Sequence, residues 1–186
     1  MDSTRRMALL DLQKELSKEI ENILEDMMLK QPSSPELIPI KAYGQALPIP
    51  ERLTNAENYS NEDLPEEEAD IQKAFPFPWA LIKLDRGIVT GIGEPQIVYV
   101  VIVFGIFDDG KENQGHEAVL IMIERVMERF AKDPLLSGQI MAVPIDNNHM
   151  FNWSMQDEDT YPYFYGALEM AFYTPGFQRE DRYGFA

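Results

Sequence analysis

The chain has no cysteine and only two histidines, and these absences dispose of several chemistries at once. Without thiols there is no disulfide, no thiolate nucleophile and no cysteine-based zinc or iron–sulfur site. That usage suits a reducing cytoplasm. His116-Glu117 opens an amphipathic stretch, but position 120 is Leu, so the two-histidine zinc motif is missing. His149, 33 residues further on, stands near Asp146 and makes no metal pair with His116. Apolar runs are short. None approaches the roughly 20 residues of a membrane-spanning helix, and Met1-Asp2-Ser3-Thr4-Arg5-Arg6 leads into polar–apolar alternation, not the apolar core of a secretory signal.

The motifs of small-molecule chemistry are missing too. Gly87-Ile-Val-Thr-Gly91-Ile-Gly93 fails both glycine templates: no Gly-Lys-Ser/Thr follows, and Gln96 stands where the dinucleotide fingerprint needs its third glycine. The segment reads as a hairpin loop. There is no Gly-x-Ser-x-Gly elbow. Carboxylates are abundant, but catalytic use requires burial or a specific partner to shift their pKa. Glu169 alone interrupts an otherwise uncharged stretch, as a solvent-facing or interface position. No catalytic residue, cofactor or metal site is expected.

Basic residues are also scarce. Sixteen Lys and Arg face 32 Asp and Glu, for a net charge of −16. The excess is no tail effect: residues 1–75 and 76–186 each hold 16 acids against 8 bases. Such a surface repels phosphate and disfavours ordinary nucleic-acid binding. It fits a protein kept soluble by charge, one that DNA passes without sticking, or one that imitates DNA.

What is present is organised around Gln96–Phe107, where every residue from Ile97 to Phe107 except Tyr99 and Gly105 is a Val, Ile or Phe. β-branched residues crowd a helix and favour a strand. A continuous apolar run bounded by Pro95 and Asp108-Asp109-Gly110 predicts a central strand covered on both faces. Upstream, Leu9, Leu12, Leu16, Ile20, Ile23 and Met27 recur at helical spacing, predicting one long amphipathic helix over 3–30. At about 1.5 Å per residue it would be roughly 40 Å long, and would either meet another subunit or lie along its own sheet. Residues 31–78 hold eight of the 13 prolines and the run Glu66-Glu67-Glu68-Ala69-Asp70, which predicts an extended arm with little regular structure, laid on a surface.

Further on, a strand is expected after Pro78, antiparallel to the central strand, and a helix over His116–Asp133 with the stripe Val119, Met122, Ile123, Val126, Met127, Phe130. Gln139–Ile145 and Met150–Met155 are expected to pair around Asp146-Asn147-Asn148. The last strand, Tyr163–Thr174, would set Phe164, Leu168, Met170 and Phe172 on one face and Tyr163, Tyr165, Glu169 and Tyr173 on the other. The expected class is α+β: a mainly antiparallel sheet with helices packed on it, a long N-terminal helix and an extended arm. The expected segments are a helix at 1–30, an arm at 31–75, a core at 76–175 and a tail at 176–186.

Trp153-Ser-Met-Gln-Asp-Glu-Asp-Thr-Tyr-Pro-Tyr-Phe-Tyr-Gly-Ala-Leu-Glu-Met-Ala-Phe-Tyr-Thr-Pro175 resembles the C-terminal strands of phage tail terminator (tail completion) proteins, in which a Tyr-Pro-Tyr-like turn feeds a final alternating strand. The preceding Pro-Trp strand, apolar partner strand and helix resemble the same family, over about residues 75–175. The resemblance implies a structural virion protein of the tail or neck, assembled in the host cytoplasm. It further implies a homo-hexameric ring that caps the tail tube and meets the head–tail connector proteins, with no catalytic residues and no membrane association. DNA would pass through an acidic lumen without specific binding. The candidate interface residues are Leu9, Leu16 and Ile20 of the first helix, Gly91 and Gly93 of the glycine loop, Asp157, Glu158 and Asp159 of the acidic loop, and Tyr163. The rival readings are an acidic inhibitor or DNA mimic that occupies a basic DNA-handling enzyme, and a small enzyme with perturbed carboxylates in a deep pocket.

Overall fold

A computed structural model describes residues 8–32, 34–49 and 76–176. Its centre is an antiparallel trio: β4 (Trp79–Val89), β5 (Gln96–Phe107) and β9 (Tyr163–Thr174). β5 pairs with β4 on one side, and with β9 on the other in unbroken register from Gln96–Thr174 to Phe107–Tyr163. With β3 (Lys41–Gly44), β6 (Leu135–Ser137), β7 (Ile140–Val143) and β8 (Asn152–Met155), the full sheet has the order β3-β4-β5-β9-β7-β6, and β8 pairs separately with β9. The α+β class and the mainly antiparallel sheet are as expected. Of the glycine segment, Gly87–Val89 continues β4 and the rest forms the β4–β5 turn, where Gly93 takes the left-handed φ of +86° that residues with a Cβ rarely adopt.

Two helices cover one face of this sheet. α1 (Ala8–Ile23) buries Leu12, Leu16 and Ile20 completely, and α2 (His116–Lys132) buries Val119, Met122, Ile123, Val126 and Phe130. They meet Val98, Val100, Ile102, Phe104 and Ile106 of β5 and Phe164, Leu168, Met170 and Phe172 of β9 in one core. An ion pair from Arg129 to Glu19 ties the two helices together, and one from Arg125 to Asp26 ties α2 to the turn after α1.

Four expectations are corrected. Within the described residues the first helix is 16 residues long, not one helix to residue 30, so it spans about 24 Å. Met28–Gln31 instead forms β1, paired with β2 (Ser34–Pro39). The apolar period changes there: Met27 and Leu29 pack on the core while Met28 is 48% exposed, the alternation of a strand. Second, residues 34–44 are not an irregular extended arm laid on a surface but form β2 and β3. Ile40 is buried in the core, and β3 (Lys41–Gly44) runs parallel to β4 as the sheet edge, so α1, Ile40 and β3 belong to the same body as the 76–175 core. The remainder of the expected arm, residues 50–75, and the tail beyond 176 lie outside the described residues.

Third, β7 (Ile140–Val143) and β8 (Asn152–Met155) do not pair with each other. The Asp146 carboxylate accepts the backbone N–H groups of Asn148 and His149, and this turn lays the two strands one after the other along β9. β7 pairs with Ala171–Tyr173, and β8 pairs with Gly166–Glu169. The outer neighbour of β7 is β6 (Leu135–Ser137), a strand not anticipated from the sequence. Fourth, among the described residues β5 is covered by helices on one face only. Its even-numbered residues are buried under the helices, whereas Ile97, Tyr99, Val101 and Val103 remain partly exposed.

The sheet edge at β3 is closed by side chains. The Glu21 carboxylate accepts the Ala42 N–H at 2.9 Å, Gln13 donates to the Ile82 carbonyl at 3.0 Å, and the Gln45 side chain accepts the Leu84 N–H at 3.1 Å. An edge amide already satisfied in this way is a poor template for a further strand. Leu16→Ala, at a fully buried site, is expected to cost about 2–5 kcal/mol. Leu9→Ala, at a site 41% exposed, should cost below about 1 kcal/mol. Denaturant unfolding of the two variants checks the assignment.

Candidate functional site

The sheet face opposite the helices is the surface left open among the described residues. Strand registers arrange it in rows. Ile88, Ile97, Tyr173 and Met141 lie side by side across β4, β5, β9 and β7. Three of them are well exposed: Ile88 43%, Tyr173 39% and Met141 38%. The next row is Arg86, Tyr99, Ala171 and Val143, and after it Lys83, Val101, Glu169 and Asn152. Leu81, Val103, Ala167 and Ser154 form the fourth.

A bulge between Leu84 and Arg86 creates part of this pattern. The extra residue, Asp85, turns Arg86 onto the same face as Lys83. There the Arg86 guanidinium lies 4.2 Å from the centre of the Tyr99 ring, a cation–π contact. The Tyr99 hydroxyl donates to the Ile145 carbonyl at 3.3 Å, and Asn152 donates to Glu169 at 3.0 Å.

At the far end the same face is filled by aromatics. Trp79 lies over Gly105, where a Cβ would come within 2.4 Å of its ring. Phe77 packs against Trp79, Tyr163 and Tyr165, and Phe107 packs against Tyr163, all with tilted rings. Burial pushes the Tyr165 phenol up to about 12, with Tyr163 adding to the shift; burial alone raises Tyr163. Tyr163, a candidate interface residue, is therefore part of this packing. Leu16 and Ile20 are likewise consumed by the core of their own chain. Only Leu9 of that helical trio stays accessible.

The acidic loop sits beyond the aromatic end. Gln156 accepts the Tyr165 N–H at 2.7 Å and donates to the Glu158 carbonyl and the Thr160 hydroxyl, which fixes the loop while Asp157, Glu158 and Asp159 stay exposed. The Tyr161 hydroxyl donates to the Asp109 carbonyl at 3.0 Å, and the Asp108 N–H to the Pro162 carbonyl at 2.9 Å. The acidic loop and the Asp108-Asp109 pair therefore share one end of the molecule. Lys30 joins them from the β1–β2 hairpin, 2.9 Å from Asp108 and 2.8 Å from Asp109. Its ammonium hydrogen bond holds the Asp109 carboxyl below the usual carboxylate range. Between hairpin and β5 runs an open groove of about 510 Å³, bordered by Leu37 and Phe107. Gly91 and Gly93 occupy the β4–β5 turn, beyond the Ile88–Met141 row, away from this acidic end.

Among the described residues no three His, Cys, Asp or Glu side chains are grouped to hold a metal. His149 instead has its Nδ1 2.9 Å from both oxygens of Asp146, inside the turn. No described helix is long and apolar enough to cross a membrane. Compared with known proteins, the sequence matches no family model and no curated protein. Alternation along the last strand already separated Tyr165, Glu169 and Tyr173 from the core-facing set. The placement of Arg86 had no such signal, because it depends on a bulge.

Two outcomes follow from this geometry. A free tyrosine ionises near pH 10, so the raised Tyr165 value stabilises the fold below about pH 10 and that contribution is lost as pH rises through about 12. Tyr165→Phe should move the alkaline unfolding midpoint upward and remove the last phenolate from an ultraviolet titration. Because the Asp109 value is lowered, the Lys30 contact holds at neutral pH and is lost as pH falls through that depressed value, below about pH 4. Lys30→Ala should accelerate amide exchange at Leu29 and Ile38 at neutral pH, and acid should do the same to the unmodified protein.

Proposed function

We propose that the chain is a structural protein of a tailed-phage virion, of the tail terminator type. Six copies form a ring that closes the tail tube and meets the head–tail connector, and the protein acts by assembly without catalysis. The observation that carries this reading is the order and pairing of the elements. A long strand entered through Pro78-Trp79, an apolar partner, a helix, and a final strand fed by Tyr161-Pro162-Tyr163 follow the order of the family that the sequence resembles. The exposed acidic end adds support, because a basic lumen would hold the passing genome by counterion release.

The acidic-inhibitor reading needs carboxylates gathered on one face at phosphate-like spacing. Here exposed acids sit on both helices, in the 157–159 loop and in the β4–β5 turn. Native mass spectrometry with negative-stain imaging at several salt concentrations, on the free protein and on isolated tails, tests the proposal. A six-membered closed ring with a central hole is expected on the tail end. A chain absent from tails that instead captures a basic DNA-handling enzyme, and releases it as salt rises, would replace this reading with the inhibitor.

A further inference from the structure

We propose that the open sheet face is a self-association surface, on which two copies of this chain pack about a two-fold axis parallel to β5. This goes beyond the ring reading and is independent of it: a two-fold contact closes on itself, whereas a ring requires a head-to-tail one.

The pattern of side chains selects the axis. Two sheets packed face to face sit about 10 Å apart with strands nearly aligned. A two-fold axis across the strands would lay Lys83 on Lys83 and Glu169 on Glu169. An axis along β5 exchanges left and right, so β5 lies over β5 and β4 over β9. In the row Lys83–Val101–Glu169, Lys83 of each copy then meets Glu169 of the other, and Val101 sits on Val101.

In the neighbouring row Arg86 stands opposite Ala171, which is fully buried within its own chain and adds no contact. Ile88 meets Tyr173 and Ile97 meets Ile97, covering the exposed apolar row. The aromatic end is already filled by Phe77, with Leu81 and Val103 packed against its cluster, so the contact is confined to the three rows from Lys83 to Ile88.

Across this axis only β4, β5 and β9 overlap, and strand spacings give their rows roughly 300 Å² of projected face per copy, on the order of 600 Å² for the pair. That is below the usual size of stable specific interfaces, so the pair is weak and should dissociate on dilution.

Sedimentation velocity over a range of protein concentrations reads the association. The unmodified chain should shift from monomer to dimer. Lys83→Glu and Glu169→Lys should each weaken the dimer by more than about tenfold in Kd, since each places like charges opposite one another twice. The combined K83E/E169K swap should restore it. The Glu169→Lys result separates this pairing from general electrostatics: it reduces the net negative charge, so unspecific repulsion alone predicts tighter association. Circular dichroism confirms that each variant is folded. A chain that stays monomeric at every concentration, a Glu169→Lys variant that associates more tightly, or a swap no better than its single variants would each overturn the proposal.

Discussion

The unbroken pairing of β5 with β9 is the interaction on which the rest of the fold depends. It joins Gln96 to Thr174 at one end and Phe107 to Tyr163 at the other without a bulge. Because side chains alternate with period two, a slip of one residue would move every core residue of β9 to the opposite face. The register therefore fixes three things together: which residues the helices bury, where the aromatic cluster closes, and which charges share the open face. β4 adds to this slab with one bulge, and β7 and β8 divide the remaining edge of β9.

From that slab follows an asymmetry of faces. The helices are tied to the sheet by fully buried Leu, Ile, Val and Phe side chains and to each other by the Arg129–Glu19 ion pair. The opposite face keeps Val and Ile in β5, although no helix among the described residues covers them there. Antiparallel sheets commonly carry polar residues on a wet face. Here apolar rows persist, broken by Lys83, Arg86 and Glu169, a mixture that suits contact with another protein surface. At the acidic end, carboxylates from two loops and a lysine from the hairpin are held by specific backbone contacts.

Much of this order could be read from the residues. The helical stripe of α2, the strand after Pro78, the glycine turn and the two faces of the last strand each follow a clear period. What resisted was of two kinds. At Met27–Leu29 a helical and a strand pattern coincide for a few residues, and pairing with Leu37 and Ile38 decides the outcome. In β5 an all-apolar run carries no alternation, so burial on one face or two is set by what packs there and not by the run itself. The open face was invisible for the same reason. Its rows join residues from four strands, and Arg86 reaches it only through the bulge at Asp85. Of the candidate interface residues, Leu16, Ile20 and Tyr163 proved to be packed within the chain. Periodicity marks a residue as apolar and aligned, but it does not say whose core it enters.

One face of the sheet is sealed by the chain's own helices, and the described residues leave the other open. Peroxide oxidation of dilute native protein, followed methionine by methionine with peptide mass spectrometry, tests it most directly. Met141 lies on the open face, whereas Met122 and Met170 lie under the helices. Met141 should oxidise readily, while Met122 and Met170 resist until the protein unfolds. Protection of Met141 in the dilute monomer, or oxidation of Met170 at the same rate, would contradict the assignment of faces on which the whole account stands.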